Sequence, residues 1–420
     1  MAKSKPAKKD KKNKQNGSQD LTVEMAGPLF EQATELLQEG QANEALPVAQ
    51  KLIQCLSSPT VDSTLKLPAL DLIGEIYIEL GEAEQARNIF LEAVKLDPDG
   101  TLGNEVSGGA DKFLWLAQLC DEGGQESVDW FEKGAAVLRR ELQQYDGKTM
   151  TDEDEFIQEI KRTKLANALC GAAEVYMTDL RYVTMDLQTQ QEQLRKEYTL
   201  TRNDNHSWNE DAEQRAEALV TEACMVAPDT PEPLQTLASV RLSQEKLEDA
   251  RAALTRSLQL WSDLGPEDAA QVPDFPTRIS LARLLMEAEM EEQALDVLER
   301  LIGEDDHSVE AWYLGGWCLH LLADKKAMNN ATDATEDGVQ DERTRTLKSS
   351  RLWLLKCMKL YGKLEYEDER LKSHAEELIG EMNKVLGPPP EDENAEDEDD
   401  GWEGIEDDED ADEDEVMEEV

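Results

Sequence analysis

Positive charge is scarce in this chain. Its 420 residues carry 43 Lys and Arg against 93 Asp and Glu, a formal net charge of −50. A field of that sign repels nucleic acid and a plain anionic membrane surface. A strongly basic protein is its natural complement. Histidine is scarcer still: four occur, His206, His307, His320 and His374, and none is spaced with a second ligand or a nucleophile. No apolar run approaches the roughly 18 residues of a membrane span. The lysine-rich start has no hydrophobic stretch behind it, so neither spanning nor secretion is expected. Six cysteines stand singly and form no CxxC pair. Most fall at apolar helix positions, which reads as reduced thiols in cytosol or nucleus. P-loop, dinucleotide glycine fingerprint, HExxH and nucleophile elbow are all missing. A calcium loop starting at Asp97 fails, because Leu102 stands at the turn glycine and Gly108 at the final Glu. Neighbouring carboxylates such as Asp152–Glu155 read as a solvated helix start. No enzyme, cofactor or metal is expected.

What is present is periodic. Residues 67–100 carry Leu70, Ile73, Gly74, Tyr77, Gly81, Ala86, Phe90, Ala93 and Pro98. That order resembles one complete tetratricopeptide (TPR) unit, two antiparallel helices that cross closely. The crossing needs a small residue on each helix, here Gly74 and Ala86. Phe90 and Tyr77 fill the space between the helices, and Pro98 stops the second one. One unit cannot bury its own apolar face, so neighbours are expected. The same small-residue pair, twelve positions apart, recurs at Ala33/Ala45, Ala238/Ala250 and Ala282/Ala294. More degenerate units fit residues 110–144, 162–226 and 308–361.

The expected fold is therefore all-α, a right-handed TPR superhelix (α-solenoid). About seven repeats fill residues 21–387, closed by a capping helix at 365–386. Two insertions break the register. Residues 324–346 are polar and fit a surface loop. Residues 181–207 are polar and Gln-rich, and deleting them would join Leu180 to Trp208 in a nearly standard turn. They read either as a solvated helical excursion or as an unspliced intron translated in frame. Residues 1–20 hold seven lysines, either an import signal or a solvated tail, and are expected to be disordered. Residues 388–420 open on three prolines and hold 20 acidic residues without one Lys or Arg, a second disordered tail. Removing both ends leaves 71 acidic against 36 basic residues. Acidity thus belongs to the folded surface as well as to the tail.

In such repeats the first helix of each pair, helix A, faces the groove with its fifth, ninth and twelfth to thirteenth positions. In the second repeat these are Asp71, Glu75, Ile78 and Glu79. The three carboxylates lie at i, i+4 and i+8, on one helix face, where like charges repel. Glu174 joins them from the fourth repeat and Asp121 from the third. Phe30 at the near end, with Tyr313 and Trp317 at the far end, gives an acidic groove with aromatic ends. Such a groove suits an extended Arg- and Lys-rich segment. The bland readings are a solvated face for the carboxylates and core packing for Trp312, Tyr313 and Trp317. The clamp that binds the acidic tails of heat-shock chaperones needs Lys and Asn at groove positions. Here Phe30, Thr34, Asp71 and Glu75 stand there, so that use is disfavoured.

Several features occur together: Leu96-Asp97-Pro98 closing a full repeat, Met286 to Met290, Ala311 to Trp317, a basic start, and a Trp402-bearing acidic tail. In that combination the chain resembles the fungal assembly chaperones dedicated to large-subunit ribosomal protein four. The likeness covers residues 25–420 except 181–207. It implies a non-enzymatic protein of cytoplasm and nucleus. Such a protein captures the new, basic ribosomal protein, covers its rRNA-binding loop and delivers it for large-subunit (60S) assembly, with an import receptor as a further partner. A histone chaperone and a general adaptor are the alternatives. Histone chaperones of this class usually carry an acidic insertion inside the repeats, and 181–207 is nearly neutral.

Overall fold

The computed structural model describes residues 25–57, 62–103, 107–120, 123–189, 206–265, 271–329 and 336–388. These form fifteen α-helices and no strand. Residues 1–24, all of 190–205 and the acidic tail from 389 onward lie outside the described residues. The chain divides into two compact units, residues 1–274 and 275–420.

The first unit consists of five helix pairs: α1 (Ala26–Gln38) with α2 (Ala42–Leu56), α3 (Leu67–Glu79) with α4 (Ala83–Leu96), α5 (Asp111–Gln118) with α6 (Gly124–Gln143), α7 (Asp152–Thr189) with α8 (His206–Val226), and α9 (Pro231–Ser243) with α10 (Leu247–Gln259). The odd-numbered helices are the A helices. Each packs on its own partner and on the pair before or after it, the α-solenoid arrangement of TPR proteins. The small-residue pairs mark the crossings. Ala33, Ala45, Ala86, Ala238 and Ala250 are all completely buried. At Gly74 a methyl group would lie inside the Phe90 ring, so only hydrogen lets α3 and α4 close. Gly81 turns the chain between them at φ +72°, a backbone region that favours glycine.

Charge also holds the third pair in place. Lys112 and Asp97 are buried against each other at 2.8 Å. Lys112 also donates to the Gly109 carbonyl, and Asp97 accepts from the Thr101 amide. Burial raises the Asp97 pKa, but Lys112 and the backbone donor outweigh it and leave the carboxyl below its ordinary value. The pair ties the end of α4 to the start of α5, which explains how so short a helix keeps its place. Phe113, Leu138, Leu165 and Leu169 close the core around it.

Two expectations about boundaries change. The fourth unit was expected to open at residue 162, but α7 runs from Asp152 to Thr189. Its start is capped, with Asp154 accepting from the Thr151 amide and hydroxyl at 3.0 and 2.8 Å. Its far end carries the helix into the 181–207 segment.

The second unit contains α11 (Phe275–Glu287) with α12 (Glu291–Glu304), α13 (Val309–Asn329) with α14 (Glu336–Lys363), and α15 (Glu369–Leu386). Ala282 and Ala294 are again fully buried. The surface loop expected over 324–346 is mostly helix instead: α13 reaches Asn329 and α14 begins at Glu336. The stretch is polar but contains no proline, and Ala, Lys, Glu, Gln and Arg extend a solvated helix readily. The expected cap is α15. Asp368 accepts from the amides of Arg370 and Leu371. Leu371, Ala375, Leu378 and Met382 are buried, and Glu369, Glu376, Glu377 and Glu381 face water. That polarity is what a terminal element needs. Among the described residues all six cysteines are free thiols. No helix there is long and apolar enough to cross a membrane.

Candidate functional site

The site grows from the A helices of the first unit. On α3, Ile73 and Ile76 point into the core, which turns Asp71, Glu75 and Glu79 outward. Asp111 stands at the first turn of α5. From α7, Lys164 reaches it with Nζ 2.8 and 2.9 Å from its two carboxylate oxygens. Asp71 is half-buried. Its pKa is pushed up to about 7, by burial first and then by the charges of Glu75 and Asp111, against the smaller pull of Lys112 and Lys164. Glu75 is raised as well, by burial and by Asp111, with Lys164 opposing.

Further along the same layer, burial raises Glu174 of α7, partly offset by Thr236 of α9 at 3.5 Å. Glu232, in the first turn of α9, is raised by burial and by Asp274, against a hydrogen bond from its own backbone. One of its carboxylate oxygens is buried without a hydrogen-bond partner. The Cys170 thiol beneath them is pushed up to about 12, by burial and then by the surrounding Glu174, Cys224 and Glu232, despite Thr236. Glu75 and Glu174 keep contact with water yet feel burial, because the flanking helices replace much of their solvent with protein.

Carboxylates on the second helices of the pairs, the B helices, behave differently. Glu126 of α6 meets Arg87 at 2.6 Å and is held below its ordinary pKa by that guanidinium. Glu217 of α8 is held low by Arg241 and Gln244, and Glu304 of α12 by Arg278. Glu222 of α8 takes a two-pronged contact from Arg139, at 2.6 and 2.8 Å. Among the described residues the four raised carboxylates, Asp71, Glu75, Glu174 and Glu232, all lie on A helices. These four Arg-bound ones all lie on B helices.

Of the residues singled out by sequence, Asp71, Glu75 and Glu174 fall in this layer, and Glu79 is exposed on the same helix face. Asp121 lies outside the described residues. Ile78 is half-buried and packs on the Ala86, Phe90 and Leu116 cluster. Phe30 packs against Leu52, Leu56 and Ala69, so it reads as core. The aromatic far end is also revised. Tyr313 and Trp317 belong to the second unit, where the cap covers them. The Tyr313 hydroxyl meets His374 Nδ1 at 2.7 Å, and the His374 ring stands edge-on to Trp317 at 5.0 Å. An A-helix aromatic at the last repeat has the capping helix to pack against, so it is used up inside the chain. Trp312 is packing, as expected: its ring meets Trp353 at 4.9 Å, and its indole donates to the Asp306 carbonyl.

Sequence reasoning missed Asp111, Lys164 and Glu232. The third repeat is too degenerate to number, and Glu232 passes for an ordinary first-turn acid. It also missed that His307 stands beside Asp305 and Asp306. All three are exposed on one turn and hydrogen-bonded to one another, His307 donating its amide to Asp305.

Comparison with known proteins agrees with this architecture. A family model described as tetratricopeptide repeat matches residues 67–99. A protein of Emericella nidulans named "Probable assembly chaperone of rpl4" is 47% identical over 388 residues, 91% of this chain and 89% of its own. One of Schizosaccharomyces pombe with the same name is 33% identical over 380 residues, 90% and 96% of the two chains. A solved structure described as residues 1–338 of the Assembly Chaperone of RpL4 (Acl4) is 45% identical. It superimposes with a TM-score of 0.60, covering 73% of this chain and 99% of its own.

Proposed function

The chain belongs to the family of assembly chaperones of rpl4, and from that premise we propose that it holds newly made rpl4 through the acidic A-helix layer of its first unit. The observation that carries this reading is the raised set Asp71, Glu75, Glu174 and Glu232. A carboxylate held above its ordinary pKa is short of positive charge. It gains more from an arriving Arg or Lys than a carboxylate already paired. A ribosomal protein supplies such cations in segments meant for rRNA. Left bare, those segments would bind any polyanion. Covering them is the work of the layer, and release follows when rRNA, with its denser negative charge, competes for the same cations.

Delivery to the nucleus belongs to the same reading. The seven lysines of residues 1–20 are the segment an import receptor would read, and cytoplasm and nucleus are the compartments. The role is binding and release, without catalysis, cofactor, or direct contact with nucleic acid or membrane.

The experiment is a tagged pull-down of the full chain from cells at low salt, read by mass spectrometry. It is followed by titration of recombinant rpl4 at rising salt. Recovery of rpl4 as the one dominant basic protein is expected, with an affinity that falls steeply with salt. The triple variant D71N/E75Q/E174Q is expected to bind about tenfold or more weakly, with a shallower salt dependence. Core histones in place of rpl4, or binding indifferent to salt, would overturn the reading. Deleting residues 3–14 of a fluorescent fusion is expected to leave it in the cytoplasm.

A further inference from the structure

Charge is not all that the A-helix layer offers. Phe156 is 68% exposed and Ile160 42% exposed, one turn apart on α7. From Lys164 to Thr178 this helix is closed in by neighbours except for one stripe, on which Lys164, Asn167, Glu174 and Thr178 meet water. At 3.6 residues per turn, Phe156 and Ile160 continue that stripe within an arc of about 80°. They stand about 12 and 6 Å along the axis from Lys164. Lys164 binds Asp111, which adds to the field on Asp71 and Glu75. The apolar pair is thus continuous with the acidic layer.

Nor is this end of the helix loose. The Thr151–Asp154 cap closes its first turn, and Lys161 is bound to Glu141 of α6 at 3.1 Å, both side chains largely buried. The fold therefore holds a large aromatic and an aliphatic side chain rigidly in water. Around them stand Asp152, Glu153 and Glu155. The exposed cations beside the pair, Arg162 and Lys164, are already bound to Glu159 and Asp111, and apolar groups beside an acidic excess mark a docking surface for a basic partner with an apolar anchor.

We propose that Phe156 and Ile160 form an apolar step that seats an aliphatic or aromatic residue embedded in a Lys/Arg-rich segment of the client, so that the chaperone selects its client by that anchor as well as by charge. The inference rests on the proposed function. The acidic layer would accept many basic chains, and the step is what separates one from another.

The test titrates recombinant rpl4 with the full chain at 0.1 and 0.5 M NaCl, comparing wild type, F156S/I160S, F156L and D71N/E75Q/E174Q. Both step positions are exposed, so the Ser variant is expected to melt like wild type. It should bind rpl4 about 10- to 100-fold more weakly at both salts, the loss expected for two unburied side chains. Its salt dependence should be unchanged. F156L should keep most of the affinity. The carboxylate variant should lose mainly the salt-dependent part. Wild-type affinity in F156S/I160S overturns the inference and leaves the proposed function standing, whereas failure of wild type to bind rpl4 overturns both. A wild-type dimer that F156S/I160S converts to monomers would show that a second copy occupies the step. A lower melting temperature with unchanged binding would show that this chain's own segment covers it. Either result overturns the proposal.

Discussion

Two sets of carboxylates, one on A helices and one on B helices, are treated in opposite ways. On the A helices Asp71, Glu75, Glu174 and Glu232 are crowded by protein, Asp71 also by Glu75, and their pKa values stand above the ordinary range. On the B helices Glu126, Glu217 and Glu304 each take a guanidinium from within the chain, and their values stand below it. A net charge of −50 therefore does not describe a uniform acidic surface. These three arginines, Arg87, Arg241 and Arg278, tie neighbouring helices together, and among the described residues the four A-helix carboxylates have no such partner. That lack costs some stability in the free protein and is met when a cation arrives. An acidic surface made only for solubility would have no reason to crowd its carboxylates with protein on one set of helices.

The comparison can be broken hardest inside the first unit, at a carboxylate that already has its cation. Asp97→Ala would leave the Lys112 ammonium buried without its partner. A loss of about 3–5 kcal/mol is expected on urea unfolding. A loss below about 1 kcal/mol would mean that Lys112 finds water, and that the fold does not treat paired and unpaired charge differently. Next comes Gly74→Ala, which touches no charge. The added methyl collides with Phe90, and about 1–3 kcal/mol is expected from overpacking. It should leave the affinity for rpl4 per folded molecule unchanged, because every carboxylate of the layer stays in place.

How much of this was legible depends on whether a residue's role is local. Gly74 with Phe90, and the alanine pairs twelve positions apart, announce the crossings because the close approach admits nothing larger. Trp312 and the capping helix were readable for the same reason. Asp71, Glu75 and Glu174 were reachable through position within the repeat. Asp111, Lys164 and Glu232 were not, because each acquires its meaning from a helix distant in sequence. Tyr313 and Trp317 were misplaced for a related reason. Position marks a face as outward, but only the packing of His374 shows that the cap already lies on it. The length of α7 and the helical stretches at 324–329 and 336–346 were obscured by polarity, which marks solvent exposure and not loop structure.

A smaller effect, of opposite sign, is expected at Asp71. Its folded pKa of about 7 stands above the ordinary 3.8, so the folded state binds that proton more tightly. The stabilisation it brings is complete below about pH 4 and disappears as pH rises through about 7. Above that point ionised Asp71 opposes folding, and Asp71→Asn removes the opposition. Water still reaches part of the side chain, so the gain should be about 1–2 kcal/mol at pH 8, shrinking toward pH 5, as read by thermal melts across that range. A variant that is less stable than wild type at pH 8 would show that Asp71 is satisfied within the chain. The same substitution is expected to weaken rpl4 binding. Stability and affinity moving in opposite directions is the signature of a group held in reserve for a partner.

The smallest effect sharpens the contrast most. Arg87 and Glu126 meet at 2.6 Å, but the carboxylate side chain is more than half exposed. Such pairs are worth about 1 kcal/mol or less, and Arg87→Ala should cost no more than that. Removing Arg87 frees Glu126 and makes the outer face more negative by one charge. If the client read net charge alone, this variant would bind rpl4 slightly better, just as the A-helix variants bind worse. If the client reads the A-helix layer, the affinity for rpl4 should stay within about twofold of wild type at low salt, where long-range attraction is least screened. A titration of Arg87→Ala beside D71N/E75Q/E174Q therefore separates a field from a site.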